Sequence, residues 1–244
     1  MAQDLRGSLD ACVKPDASIV TRADFEIETW LRDELPRLAP GSAVWGEEKG
    51  FAEEGSGGLW LVDPVDGTSN YAFGSPLWGV SIAWMLGGRI RLGAVALPDL
   101  GEAYSAAEGE GVTRNGERLP ALRPGEIRNE ELVACSPALF RRPGFRCPGN
   151  VRYNGAFVIE GAFFACGRYR ALLSVRASLY DMAACLCLAR EAGGDVRHLD
   201  GTPFDEAPST QPSLIEPAFG FFPPGCGWRD DPQPTPAPPP PGGR

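Results

Sequence analysis

Between residues 21 and 38 the apolar side chains fall at Ile27, Trp30, Leu31 and Leu35, the i, i+3, i+4, i+8 spacing of one helical face. Pro36 and Pro40 mark the end of that helix. The pattern then shortens. Apolar runs over 43–45 and 59–62 read as strands, separated by the loop segments Gly-Glu-Glu-Lys-Gly and Glu-Gly-Ser-Gly-Gly. Val80, Ile82, Trp84 and Leu86 recur at period two, as in a strand half-buried on one face. Gly87-Gly88 turns the chain and 89–97 returns as the partner strand. A strand over 102–107 and a turn at Asn115-Gly116 extend this into a meandering antiparallel sheet with helices packed on it.

After Pro120 strand and helix alternate: a strand at 132–135, a Pro/Arg-rich loop, a helix at 156–166, a strand at 169–175, a helix at 180–192 and a strand at 195–199. That alternation predicts a layered α/β arrangement. The chain is thus expected to divide into an N-terminal α+β part (1–125) and a C-terminal α/β part (126–222) in one compact unit. A Pro/Gly-rich tail (223–244) ending TPAPPPPGGR is expected to stay extended or disordered, a proline-rich partner motif being the alternative. No internal repeat is visible.

Composition narrows the function. With 43% hydrophobic residues in 244, a sizeable core can be buried. A net charge of −9 argues against a nucleic-acid polymer or an anionic membrane surface as partner. No apolar run approaches the roughly 20 residues that span a bilayer, and the first residues lack a secretory pattern, so a soluble cytoplasmic protein is expected. Seven cysteines without a Cys-x-x-Cys pair read as small core residues in a reducing compartment. The single histidine, His198, argues against Ser-His-Asp, Cys-His and multi-histidine metal chemistry and reads as a strand-end surface residue. Chemistry is left to carboxylates, hydroxyls, Lys/Arg or bound ions.

The segment LWLVDPVDGTSNY places such carboxylates at the end of a buried strand. Pro64 drives Asp63 into an extended conformation at the strand's tip, and Asp66-Gly67-Thr68 turns the chain. If Thr68 opens a short helix, the N–H groups of Gly67 and Thr68 form an anion pocket. Carboxylates beside an anion pocket repel a phosphate unless hard cations such as Mg²⁺ lie between them. A plain turn with a capping aspartate fits the same residues. Glu47 and Glu48, Asp181 at a helix start, and Lys14 and Asp24 before the first helix add further candidates. Solvated surface, helix cap and first-turn charge are their structural readings.

DPVDGTSNY resembles the Asp-Pro-Ile-Asp-Gly-Thr-x-Asn-Phe motif of the inositol monophosphatase family. Lys14-Pro-Asp-Ala-Ser-Ile-Val-Thr-Arg-Ala-Asp24, Gly46-Glu47-Glu48, Gly109-Glu-Gly-Val, Asn115-Gly-Glu and Tyr180-Asp181-Met-Ala-Ala, with Arg190-Glu-Ala-Gly-Gly194, are similar to its other blocks in the same order. The resemblance implies an αβαβα layered sandwich of the inositol monophosphatase/fructose-1,6-bisphosphatase type. It implies two or three Mg²⁺ held by Glu47, Asp63, the Val65 carbonyl, Asp66 and Asp181, with Lys14 and Asp24 near a third. Gly67 and Thr68 would bind phosphate, with Gly155, Ala156, Asp66 and Asp181 facing substrate. Thr68 and Glu47, with Asp63, would handle the attacking water in two-metal phosphoryl transfer. The implied enzyme is a lithium-sensitive phosphomonoesterase acting on an inositol-1-phosphate-like alcohol. Histidinol phosphate, a sugar phosphate, a nucleotide 3′-phosphate or a catalytically idle scaffold are the alternatives, and a homodimer is open.

The chain departs from the family in places. It is short before Lys14 and between Ser136 and Arg152, and PSLIEPAFGFFPPGCGW stands where the family has a strand and final helix. The family's Gly-Ser/Thr-Ala turn becomes Gly155-Ala156-Phe157, and an acceptor glutamate becomes Ser174. These changes are expected to weaken polyol recognition, unless Phe157 simply packs in the core.

Overall fold

The computed structural model describes residues 19–204 and 217–230, Gln3, and the backbone of Cys12–Val13. Lys14 and 231–244 lie outside the described residues. A short hairpin of β1 (Cys12–Val13) and β2 (Ile19–Val20) leads into helix α1 (Arg22–Leu38). A seven-stranded sheet follows, in spatial order β3 (Ala43–Gly46), β4 (Leu59–Asp66), β5 (Gly79–Leu86), β6 (Arg89–Leu97), β7 (Glu102–Ala107), β8 (Gly111–Arg114) and β9 (Glu117–Arg118). Only the β3–β4 pair is parallel. Helix α2 (Thr68–Ala72) interrupts the sheet between β4 and β5.

A second sheet has the order β11 (Asn150–Arg152), β10 (Leu132–Cys135), β12 (Ala171–Ser174), β14 (Phe219–Phe222), β13 (Asp195–His198). Helices α3 (Phe157–Ala165) and α4 (Leu179–Glu191) contribute to one core with both sheets, with Leu61, Met85 and Val95 on one side and Leu172, Phe219 and Phe221 on the other. α4 is apolar nearly all round, as a helix covered on every side must be. α1 lies on the opposite face of the large sheet, where Ile27, Leu31 and Leu35 meet Val44, Trp60 and Val62. This is a layered α+β fold. The outer face of the second sheet is covered by the 3₁₀ turn Pro137–Arg141 and by chain after β14, around Leu139, Phe145, Phe222 and Cys226. No described helix is long and apolar enough to cross a membrane.

Four expectations need correction. Trp30 is not on the buried face of α1 but 51% exposed; its place is taken by the polar flank of Asp24 and Glu28, both fully buried. In β5 the more deeply buried face is Gly79, Ser81, Ala83 and Met85, because small residues there admit α4, while Val80, Ile82 and Trp84 pack toward α1. Phe219–Phe222, in the stretch read as replacing the family's strand and final helix, is an interior strand of the second sheet. The segment after it, expected to be unpacked from 223, is tied in up to residue 230. Trp228 stacks on Phe222 at 5.8 Å, Arg197 donates to the Cys226 carbonyl at 2.9 Å, and the Asp230 N–H reaches the Leu199 carbonyl at 2.8 Å.

The α4–sheet contact depends on a missing side chain. A Cβ at Gly93 would lie 2.5 Å from the Ala184 carbonyl and 2.9 Å from the Cys187 Cβ. Gly93→Ala is expected to cost about 1–3 kcal/mol through overpacking, read as a lowered thermal midpoint; an unchanged midpoint contradicts this packing.

Candidate active site

Pairing between strands decides where the acids meet. Because β3 and β4 are parallel, with Gly46 opposite Val62, the next residues of each strand, Glu47 and Asp63, emerge side by side. Simple alternation would send Asp63 and Asp66 to opposite faces of β4. The register shift between them in the β4–β5 pairing re-aims the strand so that both line one cleft. Asp181 arrives from the other side of the core. Ser81, paired with Asp63 across β4–β5, donates to the Tyr180 carbonyl at 3.3 Å and ties the first turn of α4 to this spot. Ser178 and Asp181 form a capping box there, the Ser178 N–H donating to Asp181 at 3.2 Å.

One oxygen each of Glu47, Asp63 and Asp181 lies within 4.8 Å of the others. They line an open cleft of about 310 Å³ with Val65, Asp66, Gly67, Thr68 and Gly155. No Lys or Arg is among the described lining residues. Acidic groups are therefore gathered where the described lining supplies no side-chain cation. Asp63 and Asp181 are held well above the ordinary value of 3.8, first by burial and then by the charges of Asp66 and Glu47. Burial pushes Asp66 up to about 7 against the pull of N–H groups of Val158, Gly67 and Phe157. Tyr180 is pushed up to about 12 by burial and by the nearby carboxylates. An oxygen-rich, anionic cluster of this kind is chemically suited to hard divalent cations.

The neighbouring backbone is also set. Gly67 takes φ 81° at the start of α2, and a Cβ there would meet Ala156 at 2.8 Å. The expected free N–H pocket is partly used: the Gly67 N–H is directed at Asp66. Asp66 also accepts from the Val158 N–H at 2.5 Å, so it caps α3, whose own N-cap residue Ala156 offers no side-chain oxygen. The Thr68 hydroxyl lies 2.9 Å from the Val65 carbonyl and 3.3 Å from Asp24. Asp24 at the same time closes the capping box of α1 with Thr21. Asn70 donates to the carbonyls of Leu77 and Asn154 at 2.6 and 2.7 Å, locking the loop that carries Gly155 onto α2.

Of the expected site residues, Glu47, Asp63, Val65, Asp66, Gly67, Thr68, Gly155 and Asp181 converge on the cleft. Asp24 reaches it through Thr68, and Lys14 lies outside the described residues. Ala156 does not line it but is buried behind Gly67. Phe157 packs against Phe219 and Phe221 with ring centroids 6.3 and 5.9 Å away, so the core reading of that ring holds. Ser174 turns back to the Arg176 carbonyl at 3.0 Å. Ile19, Ser69, Ser178 and Tyr180 also line the cleft and were not anticipated. Only Ser178 carried a signal, the Ser-x-x-Asp spacing of a capping box.

The sequence model of the Inositol monophosphatase family matches residues 3–216. The chain belongs to the inositol monophosphatase family. It is 34% identical over 210 residues to a histidinol-phosphatase of Mycobacterium tuberculosis, covering 80% of each chain. To an inositol-1-monophosphatase of Mesorhizobium japonicum it is 34% identical over 207 residues, covering 80% of this chain and 77% of that one. The solved structure of a Thermotoga maritima IMPase superposes with a TM-score of 0.76 at 28% identity, over 91% of this chain and 85% of that one. With the family comes the reaction class: this inositol monophosphatase-family protein is a phosphoric monoester hydrolase.

The acid cluster makes stability of this phosphatase depend on pH in a definite direction. Asp63, Asp66 and Asp181, and Glu160, pushed up to about 7 by its own burial, all bind protons more tightly folded than unfolded. Their contribution is present at acid pH and lost as pH rises from the ordinary carboxylate range through about 7 and beyond. The carboxyls held low, Glu102, Glu108 and Asp200, act at more acid pH and leave this window. In chelator, the thermal midpoint is expected to fall between pH 5 and pH 8, less steeply in Asp63→Asn, and Mg²⁺ is expected to restore it at pH 8. A metal-free midpoint that is flat or rising over this range contradicts the coupled cluster.

Proposed function

We propose that this protein is a Mg²⁺-dependent phosphomonoesterase for a small phosphorylated alcohol. The observation that carries the reading is the meeting of Glu47, Asp63 and Asp181 within 4.8 Å in a cleft whose described lining has no cationic side chain. Two or three ions would be held by these residues with Asp66 and the Val65 carbonyl. Bound there, divalent ions supply the charge that reconciles a phosphate with the carboxylates, acidify a water and stabilise the leaving oxygen.

The protein's own groups do the rest. Gly67 and Thr68 present backbone at the phosphate end of the cleft. Thr68, with Asp24 and the Val65 carbonyl as acceptors, orients the attacking water, and Glu47 takes up its proton. Asp66 and Asp181 face the alcohol. Charge placement and orientation are what a phosphoryl transfer asks of its enzyme. The substrate is an inositol-1-phosphate-like alcohol or another ester within the family's range. Ser174, bonded back to its own loop, offers no carboxylate to a polyol. That observation favours histidinol phosphate, a sugar phosphate or a nucleotide 3′-phosphate as the second reading.

The test is phosphate release from a panel of inositol, histidinol, sugar and nucleotide phosphates with and without Mg²⁺. Turnover of at least one is expected to need Mg²⁺, to be inhibited by Li⁺, and to fall by at least about a thousandfold in Asp63→Asn, a loss of roughly 4 kcal/mol of transition-state stabilisation. Robust Mg²⁺-dependent turnover surviving Asp63→Asn rejects this site. No turnover of any ester despite Mg²⁺ binding points to a catalytically idle scaffold.

A further inference from the structure

The polar residues of α1 recur every four positions. Asp24, Glu28 and Arg32 stand one above another along a single stripe of the helix. Asp24 and Glu28 are both fully buried. A buried carboxylate is costly unless its oxygens are fully partnered. Glu28 meets that condition through the loop that follows β3. Its Oε2 accepts the Glu48 N–H at 2.7 Å, and its Oε1 accepts the Lys49 N–H at 3.0 Å and Arg32 Nε at 2.9 Å.

Arg32 then reaches past its partner on both sides. Nη1 donates to the Val44 carbonyl at 2.8 Å, and Nη2 to the Gly50 carbonyl at 3.2 Å. The pair thus holds the chain before the loop, within it and at its end. Gly46 completes the grip, because a Cβ there would sit 2.3 Å from the Glu28 carboxyl carbon. The residue enclosed between Gly46 and the bonded Glu48 N–H is Glu47. Glu47 has to be held where one of its oxygens comes within 4.8 Å of oxygens of Asp63 and Asp181, and a loop gripped before, within and after it has little freedom to carry Glu47 elsewhere.

We propose that Glu28, supported by Arg32, is a positioning residue that fixes Glu47 for divalent-cation binding. The inference rests on the metal-centre reading above and deepens it. Groups that orient a ligand without touching the ion typically change metal affinity by about 10- to 100-fold when removed. Glu28 keeps the cluster gathered before the ion arrives, so its loss should appear as weaker binding rather than as altered chemistry at saturation.

The experiment titrates the metal-free, full-length protein with Mn²⁺, counting free ion by its EPR signal, with circular dichroism to verify folding. Glu28→Gln is expected to raise the Mn²⁺ dissociation constant at least about tenfold. In turnover assays it is expected to raise the Mg²⁺ concentration for half-maximal rate while leaving kcat at saturating Mg²⁺ within about twofold. Arg32→Lys, which keeps the charge and loses the fork, is expected to weaken Mn²⁺ several-fold. Glu26→Gln, on the exposed side of α1, is expected to bind as wild type. A folded Glu28→Gln protein with wild-type Mn²⁺ affinity overturns the inference, even if its thermal midpoint drops. Should Glu28→Gln not fold, wild-type affinity in Arg32→Lys overturns it instead. If the wild type shows no Mn²⁺ binding that Asp63→Asn removes, the metal-centre reading itself falls.

Discussion

Repulsion among carboxylates governs this molecule. Glu47, Asp63 and Asp181 come from three separate stretches of chain, yet the packing of two sheets around α4 gathers them at one end of β4. Burial and proximity both disfavour their charges, which is why the protons of Asp63 and Asp181 are held so firmly. A cluster of this kind is chemically suited to a bound divalent cation, whose charge offsets that of the acids. Hydrolysis of a phosphate ester is a natural use of that arrangement, because the same cations that relieve the acids attract the anionic substrate.

The scaffold builds the cluster with ordinary helix-end chemistry. Asp24 and Asp181 each occupy the third position of a helix and close a capping box, with Thr21 and Ser178 respectively. Asp66 caps a helix from which it is remote in sequence. The structural and functional readings of these acids are therefore not rivals. One carboxylate oxygen satisfies a helix terminus, which fixes the side chain, and the fixed side chain presents its other lone pairs to the cleft. Rigid placement of charge is what an electrostatic catalyst needs, since a group that must reorganise during the reaction loses part of its effect.

The departures from the family pattern fall mainly away from this centre. The shortened 136–149 region folds as a 3₁₀ turn and loop over the outer face of the second sheet, where it joins Trp228 and Cys226 in a small apolar cluster. Phe157 is absorbed into the contact between α3 and β14. Ser174 is not among the residues lining the cleft and turns its hydroxyl toward its own loop.

Local pattern was enough to find most elements and the acids themselves. The strand ending in Asp63, the turn through Gly67, the start of α4 at Asp181 and the hairpin at Gly87-Gly88 are all short-range statements, decided by proline, glycine and period. What proximity in sequence could not decide was direction. Trp30 and the alternating side chains of β5 looked like the innermost face because they are large, whereas the close approach of α4 selects the smallest residues for that position. Phe219–Phe222 is too short and too near prolines to be recognised without its neighbours β12 and β13. The pairing of Gly46 with Val62, the bulge between Asp63 and Asp66, and the grip of Glu28 on the Glu47 loop arise only when separate segments meet, for each is a hydrogen bond or a contact between different elements of the fold. The chain by itself settled which chemical groups are available; the tertiary structure settled which of them share one small volume, because electrostatic coupling depends on distance in space.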